Sequence, residues 1–353
     1  MATASSLLIA HAITKFGSKG WEFATPLLLL TFSAEGSLFA PTLFGLVIFL
    51  LKFLIGPAAG LWMDRSPRLP VIKQGIGLQT LGVAAALCVY ALRCWLQAAG
   101  LLSATSDWSL IAAMITCGTV EAIGALVSSV AVKKDWVPSV WDADEPSSAA
   151  ELAAINTWMA NIDLIAEIAG PLSAGIALYT WGEAAGFVLI GVVNVLSFGV
   201  EYYLLLSVYY SAPALAAPKP VPASSGSGGG RMADLLSAWP LFMVQPSGVP
   251  LLVASYALLY FTVLSPHGVV LTAYLQTRGV PPPALATFRA AGALSGVAGM
   301  GAFRWLSGKL KLRALASGHL WFLAIAVAVA ASSFHFAAGV DGLSAPMVCT
   351  LPI

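Results

Sequence analysis

Polar residues are scarce along this chain, and their spacing predicts its elements. The first apolar stretch runs from about Ser5 to Phe32, long enough to cross a hydrocarbon layer of roughly 30 Å. His11, Lys15, Ser18, Lys19 and Glu22 interrupt it. At about 100° per residue these five side chains share an arc of roughly 100° on one helix face. A single lysine near a membrane-helix end snorkels to the headgroups, which accounts for Lys15 or Lys19 taken alone. Five polar groups on one face point instead to a bundle interior or a water-filled path, because the same face turned to lipid is costly.

Apolar segments of similar length recur and predict roughly nine spans. Their limits are 5–32, 42–63, 71–96, 108–132, 149–180, 184–209, 250–276, 283–307 and 313–337. Between the sixth and seventh lies SAPALAAPKPVPASSGSGGG, from Ser211 to Gly230, a flexible linker by composition. Arg231 to Val244 then reads as a short amphipathic segment at the membrane surface. Basic residues cluster on one side: Arg65, Arg68 and Lys73 after the second span, Lys133 and Lys134 after the fourth, Lys219 and Arg231 around the linker, and Arg304, Lys309, Lys311 and Arg313 after the eighth. By the positive-inside rule these loops and the N-terminus are cytoplasmic or stromal.

Composition fixes the class. Of 353 residues 59% are hydrophobic and 9% charged, with a mean hydropathy of +0.87. Soluble domains carry about 25% charge, so this is an all-α polytopic membrane protein. The net charge of +1 argues against a nucleic-acid partner. Cys88, Cys94, Cys117 and Cys349 form no CxxC pattern and read as small packing residues. The start MATASS lacks the basic region of a secretory signal.

Six spans, a cytoplasmic linker and a second set of spans describe a two-lobed transporter. The loop Gly60-Leu-Trp-Met-Asp64-Arg65-Ser-Pro-Arg68 fits G-x-x-x-D-R-x-x-R, the major facilitator superfamily motif at this position, and serves as a candidate conformational switch. Gly60 would permit close helix contact, while Asp64 would cap a neighbouring helix end and pair with a basic residue. The plainer alternative is a solvated loop that only sets orientation. Gly56-x-x-x-Gly60 and Gly292-x-x-x-Gly296 read as further close-packing patches.

Within the spans, Cys117, Glu121 and Ser128 share a face of the fourth, and Asn156, Asp163 and Glu167 a face of the fifth. Intramembrane carboxylates are functional candidates, because a central charge costs roughly 3 kcal/mol to insert. A structural carboxylate paired with Lys52, Arg93 or Arg289 is the competing reading. The seventh span, LLYFTVLSPHGVVLTAY, predicts a break at Pro266 and Gly268 that would present His267 at mid-membrane. An imidazole there suits Fe(II), Co(II), Zn(II) or Ni(II); the alternative is a proline kink with the histidine bonded to a freed carbonyl. His319 and His335 fall at span ends and read as interfacial. No HExxH, GxGxxG, GxxxxGK[ST] or GxSxG pattern occurs, so nothing points to an enzyme.

An ordered set of matches resembles the ferroportins, iron exporters of the major facilitator superfamily. Gly17-Ser-Lys-Gly-Trp21-Glu22-Phe23 resembles the family's GDRMW[HE]F, preceded by His11. Asp64-Arg65-Ser-Pro-Arg68 matches D-[RK]-x-x-R, Lys134-Asp135-Trp136-Val137 matches RDW[IV], and Leu152 to Asn156 with Ile162-Asp163 resembles LANMNA…RID. Tyr260 to Leu264 and Gly301 to Leu306 resemble YMTVL and TVAFTWL. Departures are equally clear. The family's acidic ligand of the first helix falls on Ser18, and its second ligand position holds Glu22. The seventh-helix aspartate–cysteine pair falls on His267-Gly268. These departures and MDRSPR resemble the plastid-type plant branch, which is linked to aminoglycoside entry as well as iron.

The resemblance implies a monomeric transporter of iron(II) or a related divalent metal, working by alternating access in a plasma membrane or plastid envelope, with no cofactor. The metal ligands it implies are Glu22, His267, Ser18 and His11, with Lys19, Glu121, Asn156 and Asp163 lining the cavity. The expected organisation is a six-helix lobe over residues 1–210, a linker and amphipathic segment over 211–249, and an incomplete lobe of about three helices over 250–353. Family members have about twelve helices, so a truncated chain is expected. Alternatives are a transporter of an organic cation or metal chelate on the same fold, and a membrane scaffold that transports nothing.

Overall fold

The computed structural model describes residues 2–32, 37–141, 146–219, 240, 242–244, 249–251, 253–254, 268–307 and 309–338. Among these residues all regular structure is helical. Helix α1 is Ala2–Thr31, α2 Phe39–Arg65, α3 Arg68–Ala98 and α4 Ala104–Val130. A π-helical turn, Ala131–Trp136, continues α4 into α5, Val137–Val140. Helix α6 is Pro146–Ser211, α7 Pro213–Ala216, α8 Val269–Thr277, α9 Pro282–Ser307 and α10 Leu312–Ala338. Phe39–Arg65, Arg68–Ala98, Ser106–Val140 and Ala150–Ser211 are long and apolar enough to cross a membrane by length and composition.

Local chemistry sets several of the element ends. Helix α2 stops at Ser66, which is extended (φ −101°, ψ 148°) because Pro67 follows and disfavours the helical conformation of the residue before it. Gly100 adopts φ +67° after α3, and Gly100 N donates to Gln97 O while Leu101 N donates to Leu96 O, closing the last turn. Ser103 and Ser106 cap α4 reciprocally. Gly182 (φ 80°, ψ 164°) breaks α6 into two passes, at the boundary expected between the fifth and sixth spans.

The helices meet through glycines. A Cβ placed on Gly82 would lie 2.6 Å from Glu121 N, and one on Gly124 2.6 Å from both Gln79 N and Gly75 O, so α3 and α4 touch backbone to backbone. Gly170 of α6 meets α1 likewise, 2.9 Å from Gly20 N. The patch at Gly56 and Gly60 does not pack this way. Among the described residues nothing lies within 4 Å of a Cβ on Gly60, only Leu126 Cδ2 at 4.0 Å from one on Gly56, and nothing within 4 Å of one on Gly296. Spacing marks a small-residue face but not whether a neighbour covers it, and here α4 crosses α3 instead. Trp21, Phe187 and Tyr90 form the aromatic centre, with ring centroids 4.9 Å and 5.3 Å apart.

Candidate functional site

The polar arc of α1 faces a cavity of about 340 Å³. His11, Lys15, Ser18, Lys19 and Glu22 all line it, joined by Lys52 of α2, Gln79 of α3, Glu121 and Ser128 of α4, Glu201 of α6 and Val269 of α8. One side of α1 therefore carries its charge inward while Leu27, Leu29 and Phe32 bury against neighbouring helices.

Two ion-pair systems fix α1 against its neighbours. His11 Nε2 lies 2.9 Å from Asp163 Oδ1, and Lys133 pairs with the other oxygen of the same carboxylate. Lys19 Nζ lies 2.8 Å from Glu22 Oε2 and 2.8 Å from Glu167 Oε2, and Arg289 Nη2 lies 3.3 Å from Glu167 Oε1. Asp163 thus ties α1 to the π-turn, and Glu167 ties α1 to α9. Arg289 is the partner expected for an intramembrane carboxylate; Arg93 instead pairs with Asp107 at 3.7 Å and donates to Thr31 O.

Other expected site residues lie elsewhere. Asn156 is exposed on α6, and neither it nor Asp163 lines the cavity; the Asp163 carboxylate is taken up by His11 and Lys133 behind the lining. Asp64 and Arg65 are exposed, and the ion pair of their loop belongs to Arg68, whose Nε lies 2.8 Å from Asp135 Oδ1. Lys219 Nζ shares that carboxylate at 2.6 Å and donates to Met63 O at 2.6 Å. Gly268 is extended (φ −71°, ψ 130°) and precedes α8, which begins at Val269. Pro266 and His267, like most of the linker and the amphipathic segment, lie outside the described residues. Among the described residues no group of three or more His, Cys, Asp or Glu is close enough to hold a metal.

Asn194 is a buried polar residue that the expected set does not contain. It is 0% exposed, neither amide atom has a hydrogen-bond partner among the described residues, and a Cβ on Gly17 would lie 3.0 Å from its Oδ1. With Ser197 and the buried Glu201 it forms an i, i+3, i+7 polar face in an apolar run, the same signal that marks α1.

The Ferroportin1 (FPN1) family model matches residues 2–348. A Bdellovibrio bacteriovorus protein named Ferreportin is 30% identical over 340 residues, 94% of this chain and 72% of that one. Homo sapiens Ferroportin is 26% identical over 352 residues, 87% of this chain. The chain spans 60% of the human protein's length. A bacterial homologue of the iron transporter ferroportin, solved in an inward-facing state, covers 99% of this chain at 27% identity with a TM-score of 0.79, the match taking in 79% of that structure. An outward-facing structure with soaked iron gives 0.67 at 29% identity, covering 99% of this chain and 78% of its own.

Proposed function

Because this chain belongs to the Ferroportin1 family of integral membrane transporters, we propose that it moves iron(II) or a related divalent transition metal by alternating access. The observation that carries this reading is the convergence of His11, Ser18, Lys19 and Glu22 with Glu121 on one membrane-embedded cavity. Carboxylate, imidazole and hydroxyl oxygen or nitrogen donors suit a borderline divalent ion. Val269, two positions beyond His267, lines the same cavity, which supports a site shared between α1 and the seventh span. The lobes are residues 1–210 and 250–353, joined by the 211–249 segment. The basic loops and the N-terminus lie on the cytoplasmic or stromal side. The higher likeness to the inward-facing homologue supports a cavity reached from that side. Neither an organic-cation substrate nor a scaffold role is favoured by these likenesses.

Calorimetry with Co(II) or Fe(II) on the purified protein tests the reading. Micromolar binding is expected, weakened at least about tenfold, or about 1.4 kcal/mol, by Glu22→Ala and by His267→Ala. Wild-type protein that binds neither metal would overturn it.

A further inference from the structure

The charges around Glu167 do more than line a cavity. Lys19 Nζ sits at 2.8 Å from one carboxylate oxygen of Glu22 and at 2.8 Å from Glu167 Oε2, while Arg289 Nη2 holds the other Glu167 oxygen at 3.3 Å. Two cations and two carboxylates from α1, α6 and α9 therefore balance in one chain of contacts. Arg289 is 2% exposed, its guanidinium lies over the Phe23 ring with the central carbon 5.5 Å from the centroid, and its Nε has no hydrogen-bond partner among the described residues. A charge so placed is held by its counter-charge, and losing either leaves an uncompensated ion in a low-dielectric site.

The position of this cluster gives it a second consequence. Arg289 lies seven residues into α9 from Pro282, whose carbonyl would be 2.8 Å from a Cβ on Gly175, with the Ala286 Cβ at 2.9 Å. Here α9 meets α6 backbone to backbone, at the end of the bundle remote from the basic loops. Any opening of the bundle between these two helices requires that contact to part. Glu22 is the one member that lines the cavity together with Lys19. A divalent cation on the Glu22 carboxylate competes with the Lys19 ammonium for the same oxygen and repels both Lys19 and Arg289.

We propose that Arg289 and Glu167 clamp α9 onto α6 while the site is empty, with Lys19 a tethered counter-cation shared between Glu167 and Glu22; a divalent metal on Glu22 displaces Lys19 towards Glu167, where it competes with Arg289 and loosens the clamp. Site occupancy is thereby coupled to opening at the remote end, by a ligand that interacts differently with the two states. The clamp stands on geometry alone; its release by metal rests on the transport reading above.

The test uses the full chain in lipid nanodiscs, with Cys88, Cys94, Cys117 and Cys349 each replaced by Ser and Ala286→Cys as reporter. Ala286 is 0% exposed in the α9–α6 contact, so its reaction with a soluble maleimide reports separation of the two helices. In EDTA the reporter is expected to label slowly in wild type and in Lys19→Gln, and at least about tenfold faster with Arg289→Gln, the factor for loss of an interaction worth about 1.4 kcal/mol. Arg289→Lys keeps the charge and is expected to label slowly; a rate equal to that of Arg289→Gln would overturn the clamp, as would unchanged labelling in Arg289→Gln. Co(II) is expected to accelerate labelling with Lys19 present and to add nothing in Lys19→Gln. Co(II) that binds by calorimetry without accelerating labelling would overturn the release step. Absence of Co(II) binding would overturn the metal reading and the release step together, while the EDTA comparison decides the clamp by itself.

Discussion

Asp163 shows how a single side chain is held in a membrane bundle. It accepts from His11 and Lys133, one carboxylate serving two cationic or donor groups from two other elements. His11 is 7% exposed, so Asp163→Ala strands a buried imidazole as well as an ammonium. Thermal unfolding should report a loss of about 1–3 kcal/mol, the cost of leaving a buried donor unsatisfied. Asp163→Asn, which keeps one acceptor oxygen, should lose less. Equal stability of wild type and Asp163→Ala would show that the pairing contributes nothing. The sequence made His11, Asp163 and Glu167 visible because each is an expensive residue in an apolar run. It could not say that His11 pairs with Asp163 and Lys19 with Glu167, since both carboxylates share one helix face and either lysine or histidine could reach them. That assignment depends on how α1 slides along α6, and the Gly20–Gly170 contact sets it.

At the scale of elements, several expected spans coincide with described helices. The 42–63 span is α2, 71–96 is α3, and 149–180 with 184–209 is α6 on either side of Gly182. Three of these boundaries have a local cause, proline after Ser66 or left-handed glycine at 100 and 182, and local causes are legible. The fourth span runs further than periodicity suggests, through a π-turn that carries Lys133, Lys134 and Asp135. An extra residue in a turn rotates every later side chain about the helix axis, and a count at 100° per residue does not register it. Helix packing was the least legible level. Gly56 and Gly60 have the spacing of a contact face, yet the contacts fall at Gly75, Gly82 and Gly124. Gly124→Ala should destabilise by about 1–3 kcal/mol through overpacking against backbone that cannot yield. Gly60→Ala should stay within about 0.5 kcal/mol of wild type, as for a surface site without such contacts. Detergent melts of the two variants compare them directly, and a reversed order would refute the packing described.

For the whole molecule, the segment after α6 is fastened to the bundle by a shared carboxylate. Asp135 holds Arg68 at 2.8 Å and Lys219 at 2.6 Å, while Arg68 also donates to Ala217 O at 2.8 Å and Ser139 Oγ at 3.0 Å. Asp135→Asn removes the charge and should free Lys219, raising its rate of acylation by an amine-reactive ester about tenfold if the pair contributes about 1.4 kcal/mol. Acylation at an unchanged rate would mean that Arg68 and the buried Leu215 anchor the segment without it. The motif gave this loop a role through Gly60, Asp64, Arg65 and Arg68; of these Arg68 makes the ion pair, with a carboxylate 67 residues further along the chain that the motif does not name.

Hydrophobic length, turn chemistry and the positions of rare charges are local properties, and the sequence alone determined from them an all-helical membrane bundle, several of its span boundaries and the polar face of α1. Which charges meet, and which glycines touch, depends on the relative sliding and rotation of long helices. Those are set by the summed packing of many side chains from distant segments, so tertiary structure alone decided that Lys19 joins Glu22 to Glu167, that Arg68 rather than Asp64 closes its loop, and that Asn156 stays outside the cavity.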